Sequence, residues 1–382
     1  MKPGASPATT DQEETLDPVG IGIIGCGNIS GAYLSAARFF PDIIAIRAVA
    51  DMNRDAAEAR GAEFNVPAKS VEELLADPAI EIVVNLTVPG AHVEVGLKAI
   101  AAGKHVHSEK PLGITLAEAK TLIDAAEAKG LRVGSAPDTF LGGAHQTCRK
   151  LIDDGAIGQP IGGTAIFGTA GHERWHPSPA FYYLKGGGPM LDMGPYYITD
   201  LVNLLGPVKR VAGLTSRLRA ERLITSEPLN GTRIPVEVAT HVAGTMEFHS
   251  GALITIVMSF DIARHDHRPI ELYGSEGAIS VPDPNMFGGQ IETATAAAAN
   301  WRAVPTLHAY ANGNFRMLGA ADMAQAIRTG RPHRASGALA YHVLEVMEAF
   351  QRSSDEGTAI TIASRPERPA MLPVDLVNGM LD

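Results

Sequence analysis

Val19-Gly20-Ile21-Gly22-Ile23-Ile24-Gly25-Cys26-Gly27-Asn28-Ile29-Ser30 joins an apolar strand to a glycine turn, and a helical run follows through Arg38. The turn has the form Gly-x-Gly-x-x-Ser. Gly25 permits the tight turn, and Gly27 leaves room for a pyrophosphate to approach the backbone. Asn28 and Ile29 lead into the helix, whose free N–H groups and positive dipole end suit an anion. Ser30 is small enough for close strand–helix packing. Ile43–Ala50 reads as the next strand and ends at Asp51. A carboxylate about 20 residues past the glycines is placed to hold the adenosine ribose hydroxyls. Asp51 repels a 2′-phosphate, which favours NAD over NADP; Arg54, close by, is the feature that would admit NADP.

The strand–helix alternation continues. Ala56–Ala62 is helical, and Ser70 with Glu73 three residues on gives a capping box. Ile80–Leu86 is a buried strand ending in Thr87-Val88-Pro89-Gly90-Ala91-His92. A helix to Ala102 stops at Gly103, and Gly103–His107 is a second short strand. Glu109-Lys110-Pro111 follows directly, at the carboxyl edge where open α/β sheets bind ligands. A lysine there reaches both a cofactor and a substrate, and its charge responds to its neighbours. Glu109 is expected on the cofactor side, with Pro111 fixing the turn, a cis bond being one way to do so. Thr115 and Glu118 start another helix, Gly130 ends it, and Leu131–Ser135 is a further strand. Repeated βα units predict an α/β Rossmann domain, a doubly wound parallel sheet, over residues 18–142. Alternating segments at Val236–Phe248, Ala252–Phe260, Ile270–Tyr273 and Ala278–Val281 predict an antiparallel sheet in an α+β domain over residues 143–382.

A chain of 382 residues exceeds one simple core, in keeping with two domains. A net charge of −10 without a Lys/Arg block argues against a nucleic-acid partner. Cys26 and Cys148 cannot frame a disulfide network and fit a reducing compartment. The most apolar stretch, Ala239–Phe260, is interrupted by Glu247, His249 and Gly251 and reads as a hairpin, not a membrane span. Residues 1–17 lack the features of a signal peptide and read as a disordered tail. A soluble, cytoplasmic protein with a small-molecule partner is expected.

In the second half, Leu191–Leu205 has helical spacing and Gly206-Pro207 is a stop. Asp192 and Tyr196, four apart, share a helix face. Pro195 is tolerated in a first turn, so the helix is expected to start near Asp192. The plainer reading makes Asp192 an N-cap and Tyr196 a packed core residue. His172-Glu173-Arg174-Trp175-His176 matches the His-Glu-x-x-His zinc pattern, but Gly171, Pro177 and Pro179 deny it the continuous helix that chemistry needs, so no metal is assigned. A substrate-pocket loop fits better: Trp175, His176, Tyr182 and Tyr183 suit stacking on a sugar-like ring. Asp138, after the Leu131–Ser135 strand, is a further substrate candidate. His265–His267 reads as a solvated loop, and Thr293–Asn300, Ala-rich without a period, receives no role.

The glycine fingerprint, Thr87 and Pro89 with His92 close behind, Ala102-Gly103-Lys104-His105-Val106, Glu109-Lys110-Pro111 and Gly186-Gly187-Gly188-Pro189-Met190-Leu191-Asp192-Met193-Gly194-Pro195-Tyr196 together resemble the Gfo/Idh/MocA family, the glucose–fructose oxidoreductase and inositol dehydrogenase group. Ala324–Pro332 and the helix through Phe350 extend the resemblance, which spans Val19 to about Ile362. It implies a Rossmann domain followed by a large open-faced, mainly antiparallel sheet, often packed against another subunit as a homodimer or homotetramer. It also implies that Lys110 faces nicotinamide and substrate, that Asp192 holds substrate hydroxyls, and that Thr87 and His92 lie on the cofactor side. The family's usual acid/base histidine falls at Tyr196, a position where some members resemble this chain in having tyrosine. A Lys110 cation is expected to lower the phenol's pKa; Tyr197, His176 and His172 are the rival candidates.

The reaction expected is oxidation of a hydroxyl on a sugar, sugar derivative or cyclitol, with NAD as acceptor and Lys110, Asp192 and Tyr196 as the catalytic set. Asp138, Trp175, His176 and Tyr197 are the substrate candidates. Reduction of a keto-sugar by NADPH is the first alternative. A nucleotide-responsive regulator without catalysis is the second, and retention of Lys110 and Asp192 weighs against it.

Overall fold

The computed structural model describes residues 17–297 and 300–382. The expected tail over residues 1–17 therefore lies, Asp17 apart, outside the described residues. The first half runs β1 (Val19–Ile24), α1 (Ser30–Ala37), β2 (Ile44–Ala50), α2 (Arg54–Phe64), α3 (Val71–Ala76), β3 (Ile82–Asn85), α4 (His92–Ala101), β4 (His105–Ser108), α5 (Leu116–Glu127) and β5 (Val133–Ser135). The strands form one parallel sheet in the order β2-β1-β3-β4-β5. β1 and β3 are buried at every residue, as strands covered on both faces require. The Ser70–Glu73 capping box forms in full, and Thr115 caps α5 by accepting from the Glu118 N–H. The strand order reverses direction beside β1, which creates the crevice at the carboxyl edge. The chain after β4 enters that crevice through a cis Lys110–Pro111 bond.

The second half runs α6 (Gly143–Asp153), β6 (Pro160–Gly168), α7 (Pro189–Leu205), β7 (Val208–Ser216), β8 (Glu221–Leu223), β9 (Arg233–Pro235), β10 (His241–Phe248), β11 (Leu253–Ser259), β12 (Ile270–Gly274), β13 (Gly277–Val281), β14 (Ile291–Thr295), β15 (Arg302–Val304), α8 (Leu318–Thr329), α9 (Gly337–Glu356) and β16 (Ile360–Thr361). Nine strands make one sheet, β15-β14-β13-β12-β6-β11-β10-β7-β16. It is antiparallel except where β6 lies parallel to β11. Val242, Met246, Ile254, Ile256 and Met258 point to its covered face, against which α7 packs. β14 falls partly on the Ala-rich stretch that carried no expectation; its pairing with β13 comes from the sheet rather than from its own weak pattern.

Two further points differ from expectation. α7 begins at Pro189 instead of near Asp192, so Pro195 lies inside the helix rather than in its first turn. Pro189 occupies the first helical position, where a missing N–H is harmless, and Gly188 at φ +92° sets the entry angle. In addition, α8 turns back onto the first sheet, and α9 bridges the two, packing on β7 and β16 of the second sheet and on α5 and β5 of the first. Ser135 N–H donates to the Ala335 carbonyl at 3.2 Å, and Glu348 accepts from the Leu116 N–H at 2.8 Å. α9 thus carries residues from beyond 142 against both sheets.

Candidate active site

The glycine turn is built as its sequence requires. A Cβ on Gly25, at φ +105°, would sit 2.5 Å from the Leu86 carbonyl carbon, so only glycine fits. A Cβ on Gly27 would meet nothing, which leaves the backbone open to a ligand. Among the described residues no carbonyl accepts from the N–H of Gly27, Asn28 or Ile29. Those donors and the start of α1 fit a diphosphate. Asp51 Oδ2 accepts from the Cys26 N–H at 2.7 Å and Oδ1 from the Asn53 N–H at 2.8 Å, each oxygen retaining a free lone pair. Arg54 is turned away, donating to Glu58 at 2.7 Å and to the Ala68 carbonyl at 3.3 Å.

The end of β4 presents Lys110 to α7. Its Nζ donates to the Asp192 carbonyl at 2.6 Å and to Asp192 Oδ1 at 2.9 Å, and lies 5.2 Å from the Tyr196 ring centroid. Burial alone would drive Lys110 toward the neutral amine, but Asp192, Tyr196 and Glu109 outweigh it and hold the pKa above its ordinary value. Burial likewise pushes the Asp192 carboxyl up, but Lys110 and His172 bring it down to about 2. The pair is therefore a lasting ammonium–carboxylate couple. His172 reaches it from the loop after β6, its Nε2 3.2 Å from Asp192 Oδ2. Its Nδ1 is buried without a partner among the described residues.

Tyr196 stands on the same face of α7, one turn on. Burial raises its pKa; Lys110 and Arg316 oppose that rise without cancelling it. The expectation that Lys110 would leave a lowered phenol pKa is corrected here, because desolvation is the larger effect. Arg316 NH1 donates to the Tyr196 hydroxyl at 3.3 Å and NH2 to Asn285 Oδ1 at 2.8 Å. Arg316 belongs to a loop without a recognisable motif, and no local signal in the sequence points to it.

Other expected positions are placed differently. Glu109 is buried, accepting from the Tyr33 hydroxyl of α1 at 2.8 Å and from the Lys110 N–H at 2.9 Å. Thr87 donates its hydroxyl to Asn85 at 2.7 Å. His92 is buried and spans two carbonyls, Pro111 at 2.7 Å and Thr87 at 2.9 Å, so it ties the lysine loop to the β3 loop. Asp138 is fully buried, its Oδ2 accepting from the N–H groups of Met317 and Gly319, which ties it to the segment that carries Arg316. Tyr197 points into the core, donating to the Ile166 carbonyl at 3.3 Å against Phe167. Trp175 and His176 lie on the loop beyond His172, Trp175 largely exposed. His172–Arg174 forms a single tight turn, so the two histidines share no α-helix, and Glu173 is buried against Arg222 and Tyr183.

Residues 19–136 match a family model described as an oxidoreductase family with NAD-binding Rossmann fold, and residues 145–280 match a GFO/IDH/MocA C-terminal domain. A dTDP-3,4-didehydro-2,6-dideoxy-alpha-D-glucose 3-reductase of Saccharopolyspora spinosa is 30% identical over 69% of this chain and 74% of its own. An uncharacterized oxidoreductase of Rhizobium meliloti is 27% identical over 91% of this chain and 100% of its own. The structure of a levoglucosan dehydrogenase in complex with NADH superposes with a TM-score of 0.78 at 22% identity, covering 91% of this chain and 100% of that one. Fold and cradle define an oxidoreductase with an NAD-binding Rossmann domain. The chain belongs to the Gfo/Idh/MocA family.

Proposed function

We propose that the chain is an NAD(H)-dependent dehydrogenase that oxidises a hydroxyl of a sugar, sugar derivative or cyclitol. The observation that carries the reading is the Lys110 ammonium lodged between the Asp192 carboxylate and the Tyr196 ring at the crevice of a dinucleotide-binding sheet. Gly25, Gly27 and Asp51 would hold the dinucleotide, which would supply the hydride acceptor. Asp192 fixes the ammonium and keeps one oxygen facing His172. Lys110 stays charged and stabilises a developing alkoxide. Tyr196 exchanges the hydroxyl proton. Sugar-active relatives, the spinosa reductase and levoglucosan dehydrogenases among them, support the substrate class.

Lys110→Ala removes the alkoxide's stabilising charge and is expected to lower kcat by about 10²–10³. Tyr196→Phe removes the proton carrier and is expected to lower it by about 10²–10⁴, with NAD affinity kept in both. NADH formation across a panel of sugars and cyclitols is the assay; full activity in Tyr196→Phe moves the acid/base role to His172. Asp51 and the diversion of Arg54 favour NAD over NADP, so fluorescence titration is expected to give tighter binding of NADH than of NADPH.

A second reading, NAD(P)H-dependent reduction of a keto-sugar, draws on one observation: burial keeps the Tyr196 phenol protonated, which suits a proton donor. Assay in both directions separates the two. Cys26 and Cys148, both unpaired and buried, suit a reducing cytoplasm. A homodimer or homotetramer through the outer face of the large sheet completes the proposal.

A further inference from the structure

We propose that the substrate carries a second ring beyond the one that reacts, and that Trp175 and Phe181 form the subsite for it. This rests on the dehydrogenase reading and extends it from a simple sugar to a glycoside or disaccharide. Trp175 is 61% exposed and Phe181 50%. Scattered exposed apolar side chains need no explanation, but these two end a continuous aromatic ladder that begins at the catalytic carboxylate. His172, bonded to Asp192, lies 4.1 Å from the Tyr182 ring and 5.3 Å from the Trp175 ring. Tyr182 stacks on Phe181 at 4.0 Å, and His176 joins the two branches, 5.3 Å from Trp175 and 5.4 Å from Phe181. A sugar ring held at Lys110 and Asp192 meets His172. A substituent joined to that ring and directed to solvent meets the indole next. Aromatic faces attract the polarised C–H edges of a pyranose or an aryl group, which selects a ring over an acyclic chain.

The ladder is held in place before any ligand arrives. Glu173, between His172 and Trp175 in the chain, is buried in an ion pair with Arg222. Ser226 donates to the His176 carbonyl at 2.6 Å, and the Ser178 N–H donates to His176 Nδ1 at 3.0 Å. None of these contacts takes part in the reaction; together they fix the loop that presents the two aromatics, lowering the cost of ordering it on binding. An open hollow of 450 Å³ lined by Glu173, Arg174, Arg219, Leu223 and Thr225 adjoins the same turn.

The test compares kcat/KM for monosaccharides with their phenyl glycosides and matching disaccharides, using the full chain and NAD, in wild type, Trp175→Ala, Phe181→Ala and Trp175→Phe. The extended-to-single ratio is expected to be about tenfold or more in wild type. It is expected to fall about tenfold in Trp175→Ala, to fall in Phe181→Ala, and to be largely kept in Trp175→Phe. A ratio near one in wild type, or a ratio unchanged in Trp175→Ala, overturns the subsite. So does a change in sedimentation of Trp175→Ala, which would make the aromatics a subunit contact. If no sugar of either length turns over, the dehydrogenase reading fails. The subsite then stands or falls on whether a phenyl glycoside changes the indole fluorescence of wild type but not of Trp175→Ala.

Discussion

Lys110 and Arg316 both approach Tyr196, one 5.2 Å and the other 5.6 Å from its ring centroid. Both favour the phenolate, and burial opposes them. Removing Arg316 therefore raises the phenol's pKa further. In Arg316→Met the rise of kcat/KM with pH for oxidation is expected to move to higher pH, and the alkaline fall for reduction moves the same way. An unshifted profile would remove Arg316 from the control of Tyr196. Strand end and helix spacing marked the positions of Lys110, Asp192 and Tyr196, and the family resemblance their candidate roles; the structure brings the three together. Arg316 was not legible, because its value arises only when a loop following β15 closes over α7. His92, Glu109, Asp138 and Tyr197 were legible as polar or aromatic residues near the right edges, but the direction each side chain takes is decided by packing. Each is buried on partners within the chain: His92 on two carbonyls, Glu109 on the Tyr33 hydroxyl and the Lys110 N–H, Asp138 on the Met317 and Gly319 N–H groups, and Tyr197 on the Ile166 carbonyl.

Element boundaries followed the same division between local and tertiary causes. Caps are made within a turn, so Ser70 and Thr115 announced their helices. The partner of Asp138 lies far along the chain, so its role as the cap of α8 carried no local sign. Asp138→Ala leaves the N–H groups of Met317 and Gly319 without their acceptor, an expected loss of about 1–2 kcal/mol by chemical denaturation. Arg316 directly precedes Met317, so kcat/KM falls as well. Asp138→Asn keeps an acceptor and is expected to retain both. The pH sign also follows. Burial, with Glu109 adding, pushes the Asp138 carboxyl up to about 6, while Gly319 and Arg316 oppose. The folded state thus holds this proton more tightly than the unfolded chain. The resulting stabilisation is full below pH about 4 and fades as pH rises through about 6. Stability in that window is expected to fall more in wild type than in Asp138→Asn; equal slopes would refute the assignment.

At the scale of the molecule, four segments distant in sequence converge on one crevice: the β4 edge, the loop after β6, the face of α7 and the approach to α8. Among the described residues, the helices α7 and α9 cover one face of the large sheet. Pairing registers align Leu214, Ala243, Val257 and Ile166 in a row across β7, β10, β11 and β6 on the other face. A parallel row holds Ala212, Thr245, Thr255 and Thr164. Leu214 is 71% exposed. These two rows of apolar and uncharged side chains, four strands wide and bordered by the Arg210–Glu247 ion pair and by Glu271, suit a second copy of the chain related by a two-fold axis, with the charges at the rim. Stable interfaces bury roughly 1,200–2,000 Å² in total, which an aligned face of this breadth can supply. Wild type is therefore expected to sediment as a dimer or tetramer. Leu214→Arg places a charge at the centre of the contact and is expected to release a smaller species. Its circular dichroism should match wild type, since the side chain contributes little to the covered core. A wild type that sediments as a monomer, or a Leu214→Arg protein of unchanged mass, would assign this face to something other than self-association.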